Sequence, residues 1–136
     1  MKKITNTTHD AKDEWLENYP YEEIDVGDSA SIQRTLTMAD IQAFAAVSGD
    51  TNPAHLDPEY ANDTLFHGVI GHGMWGGSLI STVLGTVFPG PGTIYLEQNL
   101  RFSRPVRIGD SLTVTVTCSA KHDDKKAIEQ IGRAHV

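Results

Sequence analysis

The stretch SGDTNPAHLDPEYANDTLFHGVIGHGM, residues 48–74, decides how the rest of the chain is read. It places a carboxylate, Asp50, and an imidazole, His55, on either side of Asn52-Pro53. Pro53 fixes its own φ and pushes Asn52 towards an extended conformation, so both side chains are expected in a shaped loop with few ways to fold. Asn52 can also bond the nearby backbone, as Asn commonly does in turns. Gly71-His72-Gly73 closes the stretch and leads into an apolar run. If that run is helical, its first amides are unpaired donors at the positive end of the helix dipole. An acid/base pair beside an anion-stabilising helix end suits chemistry at a carbonyl.

Upstream, Thr37 and Asp40 form a variant of the capping box ahead of Ile41, Phe44, Ala45 and Val47, which follow at near-helical spacing. Gly49 suits the end of that helix. Before it, Ser29 to Leu36 alternates with Ala30, Ile32, Arg34 and Leu36 on one side, a strand pattern that Arg34 spoils. Tyr21 to Asp28 is an entry segment ending in a Gly-Asp turn, and residues 1–20 are an N-terminal extension, polar apart from Trp15, Leu16 and Tyr19.

Downstream, a short helical turn is expected at Pro58-Ala61. Residues 72–87 predict a helix of about 24 Å. Its apolar residues run almost all the way round, which predicts burial. Gly73, Gly76, Gly77 and Gly85 each weaken it by about 1 kcal/mol relative to alanine, so it should form only when wrapped. Phe88-Pro89-Gly90-Pro91-Gly92 stops it. Thr93 to Arg104 alternates Ile94, Leu96, Leu100 and Phe102 against polar neighbours, and Ser111 to Cys118 places Leu112, Val114, Val116 and Cys118 on one face, so two strands are expected. A polar hairpin tip follows at His122 to Lys126, with room after it only to start another strand. Residues 131–136 can be encoded by a string that reads like sequencing-adapter DNA. A last strand that stops after a few residues would leave an unpaired sheet edge, so the final strands are expected to be truncated, and residues 131–136 are expected to be a non-native tail.

A chain of 136 residues, 39% of them hydrophobic, is one domain's worth of core. Residues 21–130 are assigned to it. The lone cysteine, Cys118, excludes an intramolecular disulfide and fits core packing in a reducing cytoplasm. No apolar stretch follows the N-terminal lysines, and no apolar run is long enough to span a bilayer, so neither a secretory signal nor a membrane segment is expected. A net charge of −7 without a basic stripe argues against nucleic acid as partner. Arg101, Arg104 and Arg107 are close enough in sequence to meet a small polyanion such as a phosphorylated cofactor, or are ordinary surface arginines. His67 and His72, near His55, raise the question of a metal site, but no Cys or supporting carboxylate pattern accompanies them and no metal is expected.

The run Ser48-Gly49-Asp50-Thr51-Asn52-Pro53-Ala54-His55-Leu56-Asp57, followed by His72-Gly73-Met74, resembles the signature of the MaoC-like, R-specific enoyl-CoA hydratases. The likeness continues through Gly90-Pro91-Gly92-Thr93-Ile94-Tyr95 and Arg104-Pro105-Val106 to Gly109-Asp110. It is nearest to the hydratase domain that in some bacteria precedes a phosphate acetyl- or butyryltransferase domain. The resemblance implies an α+β hot-dog fold, an antiparallel sheet wrapped around one long buried helix. It also implies reversible syn addition of water to a trans-2-enoyl-CoA, giving an (R)-3-hydroxyacyl-CoA, with the CoA thioester as substrate and no cofactor. Asp50 and His55 would contact the water, and which of them deprotonates it stays open. The Gly73 amide would face the thioester oxygen. Substrate-binding candidates are Asn52, His72, Met74, Trp75 and Arg104, although Asn52 can instead order the loop. A homodimer is implied, with a fused or associated acyltransferase as a further partner. The competing readings are a hot-dog acyl-CoA thioesterase and a non-catalytic acyl-CoA binding or assembly module.

Overall fold

The loop after Ser48 hangs from a helix whose start is fixed by reciprocal capping. In the computed structural model, which describes residues 3–5 and 17–136, Thr37 caps helix α1 (Met38–Ser48) by accepting from the Asp40 amide at 3.1 Å. The Asp40 carboxylate accepts from the Thr37 amide at 3.0 Å. Gly49 closes the helix at φ 79, a left-handed geometry that glycine adopts without a Cβ clash. Ile41 and Ala45 are buried, while Val47 is exposed, because the inward face advances by four residues and passes it. Thr37→Ala should therefore cost about 1 kcal/mol, lowering the melting temperature by about 4 °C in a thermal melt.

The elements continue as α2 (Pro53–Leu56), α3 (Pro58–Asn62) and α4 (Gly73–Thr82), the last extended by a π-helical turn at Val83–Val87. The strands are β1 (Lys3–Thr5), β2 (Ser29–Thr35), β3 (Ser111–His122) and β4 (Ala127–His135), in sheet order β1-β2-β3-β4. β1 runs parallel to β2 and β3 antiparallel to β4. This is the α+β hot-dog fold that the sequence led us to expect, an antiparallel sheet with a central helix. Of the N-terminal extension, residues 1–2 and 6–16, including Trp15 and Leu16, lie outside the described residues.

The chain divides into two compact units. Of the described residues, the first comprises residues 3–5 and 17–33, Ser78–Gln98 and Thr113–His135. In it Val114, Val116 and Cys118 point inward at 0% exposure, the alternation expected of β3. Burial pushes the Cys118 thiol above its ordinary range, which suits a core side chain and not a nucleophile. The Cys118 amide donates to the Asp28 carbonyl and its own carbonyl accepts from Gly27, tying the Gly-Asp turn to β3. β4 runs further than expected, pairing as far as His135 opposite Thr113. Gly132 on β4 is small because a Cβ there would stand 3.1 Å from Ile80 Cδ1 of α4.

The second unit comprises Arg34–Gly77, Asn99–Leu112 and Val136. Leu36 exchanges backbone bonds with Gly109 and Asp110, and Gly71 donates to the Val106 carbonyl at 2.8 Å. Ile70 forms an isolated antiparallel bridge with Arg107.

Two expectations need correction. Burial of α4 is one-sided: Trp75, Leu79, Ile80 and Val83 point inward, whereas Met74, Ser78, Ser81 and Thr82 are exposed. The outward face consists largely of small and hydroxyl side chains, which need no burial. Thr93 to Arg104 forms no strand, and Ile94 and Leu96 are each 79% exposed. Alternation assigns side chains to faces, but a ladder also needs a neighbouring strand, and none in the sheet order takes this segment. Leu100 and Phe102 instead lie along α4. A Cβ on Gly77 would be 3.3 Å from Leu100 Cδ1, and one on Gly73 would be 3.2 Å from the Phe102 ring. These glycines trade helix propensity for close approach.

Candidate active site

Each side chain of the site is held by the backbone around it, starting at the end of α1. The Ser48 hydroxyl donates to the Phe44 carbonyl at 2.6 Å and accepts from the Asp50 amide at 3.1 Å, turning the chain after Gly49. Asp50 is exposed, and its Oδ1 accepts from the Asn52 amide at 3.2 Å. Asn52 caps α2, its Oδ1 accepting from the Ala54 amide at 3.0 Å, with Pro53 in the first turn. His55 therefore stands on a short helix and not in the loop expected from the Asn-Pro pair. The reason is that Asn-Pro can start a helix as well as stop one: Asn suits the cap, and Pro suits the first turn, where its missing N–H costs nothing.

Ile70 clamps this short helix twice. Its amide donates to the Ala54 carbonyl at 3.3 Å, and its carbonyl lies 2.7 Å from His55 Nδ1. A carbonyl can only accept, so Nδ1 carries the hydrogen and Nε2 of the neutral ring keeps its lone pair. The half-buried His55 ring stacks on His72, with centroids 4.0 Å apart and planes inclined at 30°. His72 also touches the Phe44 ring at 4.9 Å. His72 Nε2 donates to the main-chain carbonyl of Asp50 at 3.0 Å.

The outcome is a cluster in which a ligand atom from each of Asp50, His55 and His72 lies within 4.8 Å of the others. By distance such a trio could hold a metal ion. The near-parallel stack argues otherwise, because in-plane lone pairs of stacked rings run side by side and do not converge on one point. His67 is not part of the cluster. It is exposed, at φ 55, in a turn where its amide donates to the Thr64 carbonyl.

Gly73 directly follows His72 and opens α4, so its amide is among those with no acceptor earlier in the helix. The remaining candidates differ in position. Asn52 is used as a helix cap. His72, expected to bind substrate, is only 5% exposed and bonded to the Asp50 backbone, so its contacts are with the protein. Trp75 is 6% exposed and belongs to the core. Met74 and Arg104 are exposed. Of the basic trio, Arg107 is occupied, its Nη2 donating to the Phe66 carbonyl at 2.6 Å. Sequence reasoning missed the Ile70 carbonyl and Phe102. The first is backbone and leaves no residue-type signal. The second was read only as one position of an alternating strand.

Comparison with known proteins places the chain among relatives of one kind. The family described as MaoC like domain matches residues 22–136. An (R)-specific enoyl-CoA hydratase from Rhodospirillum rubrum is 49% identical over 108 residues, spanning 79% of this chain and 75% of that protein. One from Aeromonas caviae is 45% identical over 102 residues, 75% of this chain and 76% of that protein. Among solved structures, an unliganded R-hydratase from Pseudomonas aeruginosa superposes with a TM-score of 0.78 at 44% identity, covering 88% of this chain and 84% of that one.

Proposed function

The chain belongs to the MaoC-like family, and from that premise we propose that it is an R-specific enoyl-CoA hydratase. It is a hydro-lyase that reversibly adds water to a trans-2-enoyl-CoA to give an (R)-3-hydroxyacyl-CoA. The observation that carries the reading is the meeting of Asp50 and His55 in one cluster, with His55 Nδ1 committed to a carbonyl. That leaves the His55 Nε2 lone pair and the Asp50 carboxylate to hold one water between them. Water delivers hydroxide to the β-carbon and a proton to the α-carbon. As the new C–O bond forms, charge develops on the thioester oxygen. The Gly73 amide at the mouth of α4 would donate to that oxygen, where an anion is favoured.

In this reading Met74 and Arg104, both exposed, meet the substrate beyond the reacting atoms, with Arg104 suited to a CoA phosphate. The CoA thioester is the substrate, and no metal or other cofactor takes part. No helix among the described residues is long and apolar enough to cross a membrane. A cytoplasmic location is part of the proposal, supported by the free, buried Cys118 thiol. We include a homodimer in the proposal, because exposed Ile94 and Leu96 offer apolar surface to a second copy. The proposal also keeps an acyltransferase, fused or associated, as a further partner.

The test is incubation with crotonyl-CoA. Loss of enoyl absorbance without free thiol, unchanged after EDTA treatment, is the expected result. Thiol release would instead identify a thioesterase. Binding of acyl-CoA with neither reaction would leave a non-catalytic module.

A further inference from the structure

We propose that His72 is a positioning residue whose Nε2–H bond to the Asp50 main-chain carbonyl sets the Asp50 carboxylate against His55. The inference rests on reading Asp50 and His55 as the reacting pair, and it goes beyond that reading by giving the neighbouring histidine a task of its own.

The argument starts from how weakly Asp50 is otherwise held. It follows a left-handed glycine, is exposed, and receives one amide on its carboxylate, at 3.2 Å from Asn52. Its own amide is bonded to the Ser48 hydroxyl only two residues away. Both contacts are local, so they shape the loop without fixing where it lies relative to His55. The bond from His72 is the long-range one, reaching across 22 positions at 3.0 Å. His72 can serve as an anchor because it is buried, packed between the rings of His55 and Phe44, and immediately precedes α4.

The protonation pattern supports the same role. The Asp50 carbonyl requires hydrogen on Nε2 of His72, and Nδ1 is buried with no hydrogen-bond partner among the described residues. An unpaired buried acceptor is a cost, borne here in a ring whose opposite nitrogen ties down the loop. The same ring covers one face of His55, while the Ile70 carbonyl fixes its Nδ1 edge. One side chain thus touches both members of the pair, through the main chain of one and the ring face of the other. Misplacing a reacting group by about 1 Å can cost about 10²-fold in rate, so a lost anchor should appear in turnover and not in substrate binding.

Two substitutions separate the hydrogen bond from the ring. His72→Phe keeps a ring against His55 and Phe44 but has no donor. His72→Gln loses the ring and keeps an N–H where Nε2 stood. Crotonyl-CoA kinetics should show kcat for His72→Phe reduced by about 10- to 100-fold with KM unchanged, and His72→Gln restoring most of that loss. In the Asp50→Asn background, His72→Phe should cost less than about threefold more, because a residue acting through Asp50 has little left to act on. Equal losses in Phe and Gln, no loss in either, or a full further loss in the Asp50→Asn background would overturn the proposal. Should His72→Phe fail to fold, His72→Gln decides alone: retained turnover supports the donor role, and loss refutes it. If the wild type does not hydrate crotonyl-CoA, the hydratase reading fails by itself. The anchor is still tested by amide NMR, where the Asp50 and Asn52 resonances should move in His72→Phe and hold in His72→Gln, and unmoved resonances in both would refute it.

Discussion

Asp50→Asn should lower crotonyl-CoA turnover by about 10²–10⁴-fold, the range typical of removing one acid/base group, with an unchanged melting temperature. The substitution is a sharp probe because of how Asp50 is held. An Asn carbonyl oxygen can still accept from the Asn52 amide, and the main chain can still bond Ser48 and His72. Only the charge and one acceptor oxygen are lost. Asp50 is exposed and takes part in no ion pair among the described residues, so its neutralisation should leave stability within about 0.5 kcal/mol, as for most surface changes. A rate close to wild type would mean that the water is held by something other than this carboxylate. A collapse of both rate and fold would instead make Asp50 a loop residue with no separate chemical role.

What the sequence made legible was local chemistry of short reach. Thr37 with Asp40, Gly49 at the helix end and Asn52 as a bonded turn residue are all rules of a few residues' span, and each is met in the structure. The alternation of β3 was equally readable, because its four inward residues are apolar without exception. The pairing of Asp50 with His55 was also legible, although its support was misjudged. Asn52-Pro53 was expected to shape a loop, whereas a cap followed by proline starts α2 and presents His55 from its first turn.

What stayed hidden depends on distant backbone. No residue type announces that the Ile70 carbonyl will meet His55 Nδ1, or that the Asp50 carbonyl will meet His72. Those two contacts set the tautomers and give the cluster its directionality. The same limit explains residues 93–104. Their pattern was right for a strand, but pattern cannot supply the neighbour that a ladder needs, and Leu100 and Phe102 were drawn to the glycine face of α4. Glycines read as weak points of a helix were the landing places for those side chains.

The second large effect is expected at His55, and there the choice of substitution matters. His55→Ala removes the Nε2 lone pair, the bond to the Ile70 carbonyl and the stack on His72 together. Turnover should fall by about 10²–10⁴-fold, and stability should also fall by about 1 kcal/mol for the lost hydrogen bond. His55→Asn separates the two consequences. Its amide nitrogen occupies nearly the place of Nδ1 and can still donate to the Ile70 carbonyl, but nothing replaces the basic nitrogen. The Asn variant should therefore melt closer to wild type than the Ala variant while showing the same kinetic loss. If His55→Asn kept turnover, the imidazole would matter only as a strut for the Ile70 segment, and the water would need another base. If both variants lose turnover while only Ala loses stability, the bond at Nδ1 holds the ring and Nε2 does the chemistry.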